Sequence, residues 1–127
     1  MERVLLYNIE GDKRVRLLLA ARRCGLAAVV VPPERQTLPL GALLGAEGFE
    51  ALPEGEGFSG EMLVMERLCS PFLDAIRAAG VPVALKAVVT EQNLAWSGAR
   101  LYRELSAEHE AMQSFREKKR PPRHPKR

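Results

Sequence analysis

Five side chains have the types to do chemistry if the fold gathers them: Glu10, Glu66, Lys86, Thr90 and Asn93. Two carboxylates and an amine can move a proton or hold an anion, and a hydroxyl beside an amide can donate to one. Each lies in or just after an apolar run of strand character. Glu10 follows RVLLYNI (3–9), Glu66 ends MLVME (62–66), and Lys86 sits inside VPVALKAVVT (81–90), which closes on Thr90; Asn93 then leads into a helix. In a parallel α/β sheet ligands bind beyond the carboxyl ends of the strands, so these residues, with Asn8, Asp12 and Gln92, are expected on one rim. Lys86 lies four residues before Thr90, deep for a rim position.

Every one of these residues also has a plainer role. A strand lysine can pack its stem on apolar surface and send its amine to the sheet edge or to a carboxylate such as Glu10 or Glu66. Thr90 and Asn93 are of the types that accept a backbone N–H at a helix entrance, and that helix start could also hold an anion. Trp96, the single tryptophan, is placed to anchor the last helix on the sheet. A Schiff-base role for Lys86 requires a desolvated pocket that no residue pattern announces. The arrangement has a faint similarity to phosphorylation receiver domains, but Glu66 stands where they use an aspartate and a fifth strand–helix unit is missing.

Other chemistries lack their residues. His109 and His124 are the only histidines, and Cys24 and Cys69 are scattered among apolar neighbours, so neither a metal site nor a disulfide framework is expected. Ser70 lacks the glycines of a nucleophile elbow and reads as a helix cap. Gly55, Gly57 and Gly60 are interspersed with acids that would repel a phosphate. No cofactor is expected.

Charge is unevenly spread. Residues 116–127, REKKRPPRHPKR, hold seven cations (Arg116, Lys118, Lys119, Arg120, Arg123, Lys126 and Arg127) and one acid, so this tail is +6 while residues 1–115 are −3. Such a tail would release counterions from RNA and bind it in a salt-sensitive, sequence-independent way. Without interleaved aromatics beyond Phe115, base stacking is not expected. A solubilising, disordered terminus is the alternative.

The elements that must position these residues follow from periodicity and breakers. Helices are expected from Lys13 to Cys24 with Val15, Leu18 and Leu19 inward, over residues 70–80 with Phe72, Leu73 and Ile76 inward, and from Leu94 or Ser97 onward with Leu101, Tyr102, Leu105 and Met112 on one face. AAVVVPP (27–33) is a strand whose unbroken apolar run predicts burial on both faces, stopped by two prolines. Residues 38–44 suit a short helix, and 48–61 read as a long acidic loop. No internal repeat is legible. A hydrophobic content of 46% with 28% charged residues argues for one globular domain over residues 1–115, and the longest apolar runs are far shorter than a membrane helix. With no secretion signal in the opening residues, a cytoplasmic protein is expected. The fold class is α/β: a small, mainly parallel four-stranded sheet, flavodoxin-like with order 2-1-3-4, helices on both faces and a long C-terminal helix. A ferredoxin-like antiparallel arrangement is the alternative.

Three segments together, PLGALLGAEGFE (39–50), EMLVM (61–65) and KAVVTEQNLAW (86–96), with a helix leading to EHEAM (108–112), resemble the bacterial domain-of-unknown-function 3783 family of small cytoplasmic proteins. The resemblance spans residues 3–112. It implies a stand-alone domain in which the Lys86–Trp96 stretch is typical, and it carries no activity, cofactor or catalytic residue. The family pattern often has a proline after the threonine, where this chain has Glu91.

These readings converge on a binding or regulatory domain without catalysis, its body taking a protein or a small anionic ligand at the rim and its tail attaching weakly to RNA. The alternative is an enzyme acting on an anionic small molecule through Lys86, Glu10 and Glu66.

Overall fold

The computed structural model describes residues 1–50 and 52–119, with side chains through residue 115. Four strands, β1 (Arg3–Tyr7), β2 (Ala27–Val31), β3 (Met62–Met65) and β4 (Leu85–Val88), alternate with four helices, α1 (Gly11–Arg23), α2 (Leu40–Leu43), α3 (Ser70–Ala78) and α4 (Gly98–Lys119). Short 3-10 turns occupy Pro33–Arg35 and Asn93–Ala95. β1 and β3 read as unbroken apolar runs because they are the central strands, covered on both faces. β2, expected to be buried on both faces, is instead an edge strand in which only Val31 is fully buried. Asn8 and Gly11, both with positive φ, swing the chain from β1 into α1, and Gly25 ends that helix in the left-handed region.

The strand order is β2-β1-β3-β4, as the element order led one to expect, but the sheet is mixed rather than mainly parallel. β1 pairs with β2 and β3 with β4 in parallel, while β1 and β3 are antiparallel, Tyr7 opposite Met62 and Val4 opposite Met65. The cause lies in residues 32–61. A parallel β3 would need this segment to return to the far end of the sheet. Instead it folds over one face as a 3-10 turn, α2 and a loop, and enters β3 at the end where β2 stopped.

Each face has its own core. Val4, Leu6, Leu63 and Met65 meet Leu17 and Ala21 of α1 and Phe72 and Ile76 of α3. On the other side Leu5, Tyr7, Met62 and Val64 meet Leu40 and Leu44, Phe58, Trp96 and the first turns of α4 through Leu101, Tyr102 and Leu105. Burying each such side chain is worth roughly 1.5–3 kcal/mol. The buried stripe of α1 is Leu17, Ala20 and Ala21; of the expected residues Leu18 packs at its border, while Val15 and Leu19 are about half exposed, since the crossover turns the 17/20/21/24 edge toward the sheet. Beyond Ser106 the described residues of α4 are exposed, Met112 at 54%. The helix runs on to Lys119, so the basic segment begins as helix; residues 120–127 lie outside the described residues.

The succession strand, helix, strand, 3-10 turn, helix occurs twice, in 3–43 and in 62–119. Both crossover helices lie on the same face, and the antiparallel β1–β3 pair and an antiparallel bridge between Pro39 and Ser97 join the halves. This is the arrangement of a pseudo-two-fold axis normal to the sheet. Its trace in sequence is short: Gly41-Ala42 and Leu44 recur as Gly98-Ala99 and Leu101, too few positions to announce a repeat. Among the described residues, no helix is long and apolar enough to cross a membrane.

Candidate functional site

Reversal of the β1–β3 pair divides the expected rim. Glu10 follows β1 at one end of the sheet and is exposed; Glu66, Thr90 and Asn93 stand at the other end. Glu66 Oε1 accepts the Arg3 N–H at 2.8 Å while its own N–H donates to the Arg3 carbonyl at 2.9 Å, closing the β1–β3 ladder. Thr90 and Asn93 cap one another: the Thr90 N–H donates to Asn93 Oδ1 at 2.8 Å, the Asn93 N–H to Thr90 Oγ1 at 3.0 Å, and Asn93 Nδ2 to the Val88 carbonyl at 3.1 Å. Lys86 is exposed in mid-β4, its Nζ donating to the Val83 carbonyl at 2.7 Å. The cations of residues 116–127 were read from sequence, and their side chains lie outside the described residues.

The end of the sheet beside Glu10 holds a polar network that sequence reasoning missed. Gln36, 1% exposed, donates through Nε2 to Asn8 Oδ1 at 2.8 Å and accepts the Phe58 N–H at 2.9 Å. Asn8 Nδ2 reaches the carbonyls of Phe58 and Gly60, both at 2.9 Å. Beside it, Tyr7, Phe58 and Tyr102 form an aromatic row, the last two stacked with centroids 4.4 Å apart. The Tyr7 hydroxyl is buried without a hydrogen-bond partner among the described residues, and burial pushes its pKa upward. Side chains pack closely at this end: a Cβ on Gly60 or Gly98 would strike Tyr102 or Tyr7.

Open space lies instead along β4. A groove of about 640 Å³ runs between α3 and β4, lined by Leu73, Ile76, Gly80, Val81, Pro82, Val83 and Ala84, with Arg77 and Lys86 as its charged members. The Gly80 turn and Pro82 hold residues 81–84 out of the ladder and so open the groove. On the opposite side of β4 a second groove, about 300 Å³, lies between Ala84–Lys86 and Leu105, Glu108, His109, Met112 and Gln113 of α4. Lys86 borders both. Among the described residues, no group of His, Cys, Asp and Glu could hold a metal ion. The isolated lysine in an apolar strand was the one signal of this region in the sequence; Arg77 gave none.

Residues 57–112 match the model of a family described as a domain of unknown function (DUF3783), a stretch that includes β3, α3, β4 and most of α4. The segment 39–50, part of the expected resemblance, lies outside the match. No curated protein and no solved structure matches the chain.

Proposed function

We propose that this chain, which belongs to the domain-of-unknown-function 3783 family through residues 57–112, is a cytoplasmic binding domain that holds an apolar anion in the α3–β4 groove. The observation that carries the reading is the lining of that groove: seven apolar or glycine positions, and two charged side chains that are both cations. Apolar walls supply most of the binding free energy, and Arg77 and Lys86 select for negative charge. Arg77 is available for this, since its contact with Asp74 is an exposed pair at 3.6 Å that contributes little. The whole groove lies inside the family-matched residues. An enzyme built on Lys86, Glu10 and Glu66 draws no support from their placement, because the two carboxylates stand at opposite ends of the sheet.

Decanoate, an apolar carboxylate, is a direct probe. Titration followed by amide chemical shifts should move resonances of Leu73–Lys86, and Lys86→Ala should weaken the binding about tenfold with the fold intact. Saturable shifts centred elsewhere, or none, would defeat the reading.

In the same proposal the basic terminus, residues 116–127, attaches the domain weakly to RNA. Seven cations in twelve residues support this. The full chain should bind RNA with a steep salt dependence that a chain ending at Phe115 lacks; equal binding by both would remove the tail from the proposal.

A further inference from the structure

β4 is the outermost strand of the sheet, and its free edge lies between the two grooves. The Val89 N–H donates to the Met65 carbonyl, which fixes the alternation along the strand. Leu85 and Ala87 therefore turn their backbone groups toward β3, while Lys86 and Val88 turn theirs outward. Asn93 Nδ2 occupies the Val88 carbonyl. What remains on the edge is the N–H and carbonyl of Lys86 and the N–H of Val88.

We infer that this edge accepts an extended acidic peptide segment of another protein as a fifth strand. The inference rests on the groove reading above and names its ligand. In strand addition the backbone supplies affinity and alternate side chains enter pockets on the two faces. Here one face offers Ile76, Val81 and Val83, and the other Leu105 and Met112. Lys86 shares its face with Leu63, its partner in β3, and so points toward the α3 side. A residue opposite Lys86 on an added strand would meet its amine, and a carboxylate there replaces the contact with the Val83 carbonyl. The same lysine argues against a second copy of this chain as the occupant. Two β4 edges paired antiparallel about this position would set like charges face to face, a device by which edge strands resist self-pairing.

The test uses the full chain and the peptide Leu-Thr-Glu-Thr-Leu, acetylated, amidated and fluorescently labelled, with fluorescence anisotropy as the readout. The peptide should bind, a version N-methylated at alternate amides should bind at least tenfold more weakly, and Lys86→Glu should cost tenfold or more. A peptide with lysine in place of glutamate should prefer the Lys86→Glu protein, which shows that the variant is folded. Equal affinity for the N-methylated peptide, or no loss in Lys86→Glu, overturns strand addition. If the peptide fails while decanoate still binds, this inference alone falls; if both fail, the groove reading falls with it.

Discussion

Gln36 and Asn8 are joined side chain to side chain at 2.8 Å, and between them they hold the backbone of residues 58–60 through three further bonds. The returning loop is thereby tied to the end of β1 just before it becomes β3, where the reversal of strand direction is set.

Gln36→Leu should therefore be costly. It leaves the Phe58 N–H and Asn8 Oδ1 without partners in a buried setting, a loss of roughly 2–4 kcal/mol. Urea unfolding reads this directly, and with Asn8→Ala a double-mutant cycle should show coupling of about 1 kcal/mol or more. Additive losses would mean that the two residues act separately.

Tyr7→Phe should be neutral or stabilising at neutral pH, because it removes a buried hydroxyl that has no partner. Alkaline behaviour gives a second readout. The Tyr7 pKa is raised by burial, so the unfolded chain loses this proton first, and folded stability is fully present below about pH 10 and falls above it. Comparing unfolding free energies on the two sides of that pH, the phenylalanine variant should lose less than the parent.

Gly98→Ala should destabilise by roughly 1–3 kcal/mol. Its Cβ would run into the Tyr7 ring, and that ring is fully buried between the sheet and the start of α4. A thermal melt matching the parent protein would show that α4 shifts freely on the sheet.

Asn93→Ala and Lys86→Ala should separate cleanly. The first removes the two bonds of the side-chain amide, to the Thr90 N–H and to the Val88 carbonyl, for roughly 1–2 kcal/mol. The second removes one exposed side chain and should stay within about 0.5 kcal/mol. An unfolded Lys86→Ala protein would return this lysine to a structural role.

Much of the fold was legible because it depends on local pattern. RVLLY and MLVM announced strands, α3 lay between Pro71 and Gly80 although Cys69 rather than Ser70 takes the cap position, and the strand order followed from the succession of elements. Direction was not legible. Nothing in residues 32–61 tells whether the chain crosses the sheet or folds down on one face; that is decided by Gln36 and Asn8, whose partners lie 22 to 52 residues away. The site suffered the same limit. Thr90 and Asn93 are local and read correctly as capping types, whereas a shared rim assumed parallel strands throughout. The grooves beside β4 depend on what α3 and α4 leave uncovered, which no spacing reveals.

The two-fold arrangement of the halves is what association of identical subunits produces, so the chain has the geometry of a homodimer joined into one polypeptide. The family match to residues 57–112 falls on one of those subunits. Joining them lets the copies differ. β2, AAVVV, has no charged residue where β4 carries Lys86, and α2 stops after a single turn where α4 continues for 22 residues. An exact two-fold would require both edges of the sheet to be charged or neither. This chain has a lysine midway along β4 and none in β2, so its two edges are not interchangeable.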